Sequence, residues 1–169
     1  RWFGRVVTAP SRSLVDASYA GALLIATGVL AWATGEAFVF PSLGPTAYLL
    51  ATAHTESQSA RRVIGGHAVG VGAGLVAYHT LASGLSILTA PPAYSAAQLR
   101  LVGSGVGSVA LTTAGMRASG TEHAPACATT LIVALGLLPS VAESGFVLLS
   151  VCLLYLVHRG SEWAVATRT

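Results

Sequence analysis

Apolar residues run along the chain in six blocks separated by short polar or proline-bearing breaks. The blocks fall at roughly Leu14 to Thr34, Ala37 to His54, Val63 to Gly84, Ala97 to Met116, His123 to Leu138 and Ser144 to His158. Glu56 to Arg62 and Arg117 to Glu122 are polar, Pro91 to Tyr94 reads as a loop, and Pro139 to Glu143 as a short turn. A helical span needs about 20 apolar residues, and segments that break inside a bilayer can be shorter. The pattern predicts an all-α, polytopic transmembrane helix bundle of about six segments. Residues 1–169 form a single transmembrane domain, with an N-terminal segment at 1–13, the bundle at 14–158 and a tail at 159–169.

Two of the blocks are interrupted. Pro41, Gly44 and Pro45 punctuate the second, and Ala124-Pro125-Ala126 opens the fifth. Proline is well accommodated in the first turn of a helix, so Pro45 and Pro125 read as helix starts. Ten residues from Pro45 to His54 rise about 15 Å and fourteen from Pro125 to Leu138 about 21 Å, against a hydrocarbon core of about 30 Å. Both starts then lie inside the membrane. Each half of the chain has a full pass, a broken pass and a glycine-rich pass, the second half in the order glycine-rich, broken, closing. An odd number of passes per half makes the halves inverted, the arrangement of many transporters. Two helix N-termini meeting in the membrane, with free N–H groups and partial positive charge, would suit a small anion.

Composition supports the membrane reading. Of 169 residues 53% are hydrophobic and 9% charged, with mean hydropathy +0.69, against about 25% charged in a soluble domain. Nine arginines, no lysine and six acids give a net charge of +3, which suggests neither nucleic-acid binding nor an acidic tail. With six passes and the N-terminus inside, Arg1, Arg5, Arg12, Arg61, Arg62, Arg117, Arg159 and Arg168 all fall on the cytoplasmic side. Only Arg100 falls outside, a positive-inside pattern that puts both termini in the cytoplasm of a multi-pass cell-membrane protein. The first apolar run is expected to be a retained helix, not a cleaved signal.

Small and polar residues supply the candidate chemistry. Gly66, Gly70 and Gly74 on the third pass, and Gly103 and Gly107 on the fourth, form GxxxG faces. These suit helix packing or a homo-oligomer before they suit a pathway lining. Ionisable groups within a bilayer are costly and therefore candidates for function. His123 stands at the second break, where it could bond an anion, carry a proton or tie down local backbone; His67 could face inward. His54 and His158 look like structural residues at cytoplasmic helix ends. Ser42, Thr46 and Thr121 bring hydroxyls to the breaks, and Glu36 and Glu122 precede them. Arg100 could draw anions to an outer vestibule or simply snorkel to head groups. Cys127, four residues after His123, would share its face in a continuous helix, but two ligands do not make a zinc site. No catalytic set, metal site or cofactor motif is evident, so an enzyme is not expected.

Phe40-Pro-Ser-Leu-Gly-Pro-Thr-Ala-Tyr-Leu-Leu50, Arg61-Arg-Val-Ile-Gly-Gly-His67 and Glu122-His-Ala-Pro-Ala126 together resemble the HPP family of integral membrane proteins. The likeness runs from about Ala37 to Pro139. The family is named for a His-Pro-Pro motif, and some members are implicated in nitrite transport. Here the motif is His123-Ala124-Pro125, which keeps the histidine and the helix-starting proline. The expectation is a transporter or channel for a small inorganic anion, nitrite by resemblance. Its binding site would include Ser42, Gly44, Pro45, Thr46, His67, His123, Ala124 and Pro125. The alternatives are a non-transporting membrane subunit and an intramembrane metal or redox protein.

Overall fold

A computed structural model describes residues 10–35, 37–52 and 58–167. Arg1, Arg5, Glu36, His54 and Arg168 lie outside the described residues. Among those described, six α-helices and no strand are found. They are α1 (Pro10–Thr34), α2 (Phe40–Thr52), α3 (Ala60–Ala77), α4 (Ala96–Ser119), α5 (Ala126–Ala134) and α6 (Val141–Ala166). Among the described residues, three stretches are by length and composition long and apolar enough to cross a membrane: Arg12–Thr34, Ala60–Thr89 and Val141–Ala166. By contrast α2 has 13 residues and α5 has 9, about 20 and 14 Å of helix, and neither can cross a core of about 30 Å alone.

Local chemistry sets the ends. Ser59 caps α3 by accepting from the Arg62 backbone N–H, and Ser95 caps α4 by accepting from that of Gln98. At α6, Ser140 and Glu143 form a reciprocal capping box, which starts the helix three residues earlier than the apolar pattern suggested. That helix also runs past His158 to Ala166, and Arg159 and Glu162 pair across one of its added turns at 2.7 Å. His158 is therefore inside a helix and not at its end. The fifth segment is shorter than expected. Gly136, at φ +73°, ends α5 in a Schellman turn, with Gly136 N–H donating to Val133 O and Leu137 N–H to Ile132 O.

The first break differs in detail from expectation. α2 begins at Phe40, so Pro41 occupies the first turn and Pro45 lies inside the helix. Pro41 needs no N–H donor there, which allows the helix to start before it. Pro45 then leaves the Pro41 carbonyl without its helical donor, on an exposed side of α2. At α5 the expectation holds: Pro125 immediately precedes the first helical residue.

Many polar residues lie inside while large apolar ones face outward. Leu14, Ile25, Trp32, Val106 and Leu156 are exposed, whereas Ser42, Thr46, His67, Thr112, His123, Thr129 and Thr130 are buried. An apolar cluster built on Leu23, Leu43, Val63, Ile132, Val147 and Leu154 flanks this polar centre. Glycines bring the helices together. A Cβ on Gly66 would lie 2.8 Å from His123 Cβ, one on Gly70 2.7 Å from Ala126 O, and one on Gly74 2.8 Å from Val133 Cβ. This face of α3 is thus spent on internal packing against α5 and the segment before it. Gly103 and Gly107 have open space around them.

Polar contacts gather several arginines at one end of the bundle. Tyr19 Oη of α1 bonds His158 Nδ1 at 2.8 Å and Ser161 Oγ at 2.6 Å on α6. Gln58, Ser59, Tyr155, His158, Arg159 and Glu162 line one pocket there. Arg61 donates to Ser119 O at 2.7 Å, bringing the start of α3 to the end of α4. Arg61, Arg117 and Arg159 therefore share an end, toward which Arg12 on α1 also lies. Arg100 sits at the far end, donating to Leu81 O at 2.8 Å.

Two glycine substitutions should have opposite effects on thermal unfolding in detergent. Gly70→Ala forces a methyl against backbone and should destabilise by about 1–3 kcal/mol. Gly107→Ala meets nothing and should be neutral, or stabilising by up to about 1 kcal/mol through helix propensity.

Candidate functional site

The first turns of α2 and α5 lie side by side and antiparallel, because Ser42 faces Thr129 while Thr46, one turn later, faces His123 just before α5. The two helix starts lie side by side and pass one another. α3 crosses behind them and inserts His67 between. Each position follows from local sequence. Ser42 and Thr46 are one helical turn apart and share the buried face of α2. His67 stands beside Gly66 and three residues before Gly70, on the face that approaches α5 most closely.

A continuous chain of hydrogen bonds joins five side chains. Ser42 Oγ bonds Thr129 Oγ1. Thr129 Oγ1 lies 2.6 Å from His67 Nδ1, and His67 Nε2 lies 2.9 Å from Thr46 Oγ1. Thr46 Oγ1 continues to His123 Nε2 at 3.3 Å, and its alternative acceptor is Ser42 O at 3.4 Å. The two imidazole centroids are 5.2 Å apart. All five residues are at most 3% exposed. Buried hydroxyls and imidazoles without partners are expensive, and here each finds one within the cluster.

A second polar line supports the first. Thr130 Oγ1 lies 2.6 Å from Thr112 Oγ1 on α4 and 3.0 Å from Gly70 O on α3. Adjacent residues of α5 thus face different neighbours, Thr129 toward His67 and Thr130 toward α4.

The residues singled out from sequence separate into groups. Ser42, Thr46, His67 and His123 come together in the hydrogen-bonded chain. Pro45, Ala124 and Pro125 do not; with Tyr48, Leu49 and Ala128 they line a shallow, largely apolar groove on the outer side of the crossing. Gly44 is half-buried in α2 without a role in the network. Arg100 bonds the carbonyl of Leu81, fourteen residues past His67 in the helical turns that follow α3 and about 20 Å away, so it takes no part in the site. Thr121 bonds Ser119 Oγ at 2.8 Å, outside the chain. Cys127 does not follow His123 around a helix face, because α5 begins only at Ala126.

Thr129 was missed, although it is the link between Ser42 and His67. Its signal was the Thr-Thr pair at 129–130 inside an otherwise apolar segment. Spacing from His123 could not find it, since His123 precedes the helix and helical periodicity fails between them.

Thr129→Val preserves shape while removing one hydroxyl that serves two buried partners, and should destabilise by about 1–3 kcal/mol or more. Ser42→Ala shortens the chain at its end and should destabilise less. Thermal unfolding of the two variants in the same detergent checks the ranking.

Compared with known proteins, the chain matches the family model described as "HPP, transmembrane region" over residues 7–166. No curated protein and no solved structure matches it.

Proposed function

The chain belongs to the HPP transmembrane family, and from that premise we propose that it moves a small inorganic anion, with nitrite the first candidate, across the membrane at the crossing of α2 and α5. The observation that carries this reading is the placement of two imidazoles and three hydroxyls, all buried, between two helices too short to span a bilayer. Polar and ionisable groups at such depth are costly and mark substrate or proton paths. Interrupted helices are how many transporters bring helix ends and hydroxyls to a central site. Donors from Ser42, Thr46, Thr129 and the two histidines suit a small anion that can take over their mutual bonds when the short helices part. The same reading treats the halves as inverted and the arginine-rich end as cytoplasmic. It leaves the open face of Gly103 and Gly107 for self-association.

One observation favours a second reading. The five side chains bond to one another and fill the crossing, as a packing element in a non-transporting subunit would.

Proteoliposomes containing the purified chain should take up nitrite, or another anion from a panel of nitrate, formate and chloride, faster than empty vesicles. His67→Ala should lower that flux about ten- to a hundredfold, the loss of a hydrogen bond worth about 1.5–3 kcal/mol to a charged partner. Folded protein that passes none of these anions would leave the packing reading in possession.

A further inference from the structure

The hydroxyl of Thr46 stands between two imidazole nitrogens, at 2.9 Å from His67 Nε2 and 3.3 Å from His123 Nε2. A hydroxyl has one hydrogen and cannot donate to both. We infer that Thr46 is a proton bridge, through which His67 and His123 share a single exchangeable proton.

Counting hydrogens along the chain leads to this. If Thr46 donates to His123 Nε2, it must receive from His67 Nε2–H. His67 Nδ1 then accepts from Thr129, which in turn accepts from Ser42. If Thr46 donates to His67 Nε2, every bond reverses: His123 Nε2–H donates to Thr46, and His67 Nδ1–H donates to Thr129, which donates to Ser42. In both arrangements all four bonds are satisfied, and the neutral imidazoles hold opposite tautomers. The alternative, with both rings as Nε2–H donors, sends the Thr46 hydrogen to Ser42 O at 3.4 Å, the longest contact in the group.

An added proton fits without breaking a bond. With His67 as imidazolium, both its N–H groups donate outward, to Thr129 and to Thr46, and Thr46 donates to His123 Nε2. Transfer then breaks His67 Nε2–H as an O–H forms on Thr46, and breaks the former Thr46 O–H as an N–H forms on His123. The electron pair stays on His67 Nε2, the charge passes to His123, and Thr46 ends with one hydrogen as it began. The proton comes from water. His123 is the end nearer the surface, since it alone of the five is not fully buried, at 3% exposure, and it is flanked on both sides by exposed residues, Glu122 and Ala124.

The surroundings keep the shared proton on the pair. Both rings meet Thr46 of α2, His67 also meets Thr129 of α5, and the two rings face each other where α3 packs against the segment before α5. Among the described residues no hydrogen bond or ion pair joins either ring to a carboxylate or an arginine; Glu122 adjoins His123 in sequence with its side chain exposed. At a centroid separation of 5.2 Å two imidazolium charges would repel strongly in a medium without water.

Solid-state NMR on the full chain in lipid bilayers, with 15N-labelled histidine, reads tautomer and protonation at each ring. The expected result is one Nδ1–H and one Nε2–H imidazole at neutral pH and, on acidification, one added proton taken up by the pair and exchanging between the two rings. Thr46→Val should uncouple the two rings, and Thr46→Ser should restore coupling. Two Nε2–H rings in the wild type, or coupling that survives Thr46→Val in folded protein, would overturn the bridge. The inference does not need the anion reading. Coupled rings with no anion flux would support the bridge and sink that reading, while anion flux with uncoupled rings would do the reverse.

Discussion

The close approach of α3 to α5 is the contact on which the rest of the molecule depends. Gly66, Gly70 and Gly74 present bare backbone, and on them rest His123, Ala126 and Val133 with no room for a methyl. Removing side chains from this seam lets the His67 ring reach both α2 and α5 from a helix that would otherwise stand a side chain's width further off. It also places the Gly70 carbonyl within reach of Thr130. Without the seam the polar chain would have gaps, and gaps in a medium without water leave polar groups unsatisfied.

Satisfaction of polar groups explains why the interior holds so few side-chain types. Hydroxyls and imidazoles both donate and accept, so a small number can close a network in either direction. A carboxylate or a guanidinium in the same place would need a partner of opposite charge. The described charged residues are instead exposed or half-buried, many at the ends of the bundle, where Arg61 and Arg100 each tie down a backbone carbonyl.

Much of this was legible in the sequence because it depends on composition and spacing. The apolar blocks located six helices, and the prolines at 41, 45 and 125 marked the two short ones. The glycines at 66, 70 and 74 announced a packing face. The residues that failed to declare themselves depend on which helix faces which. Pro45 looked like a helix start because its neighbour Pro41 could take the same role, and only tertiary placement chose between them. Thr129 was hidden because its partners Ser42 and His67 are 87 and 62 residues away. Arg100 stood out by its position in the charge pattern, yet its guanidinium serves a local carbonyl. The ends of α5 and α6 were displaced by a glycine turn and a capping box, signals that hydropathy does not carry.

The Schellman turn at Gly136 bears on how the chain is assembled as it emerges from the ribosome. A Cβ there would lie 2.2 Å from Leu85 O, and Leu135 O accepts from the Ile87 N–H, so the end of α5 rests on the connection between α3 and α4. That platform is synthesised before α5, and the short helix can seat itself on arrival. α2 has the opposite fate. It is made early, too short to span, and its Ser42 and Thr46 face partners that come later in the chain. Between the synthesis of α2 and that of α5 this segment must wait with its hydroxyls bonded elsewhere, which makes it the part of the nascent protein most dependent on an insertion machinery that shelters polar groups from lipid.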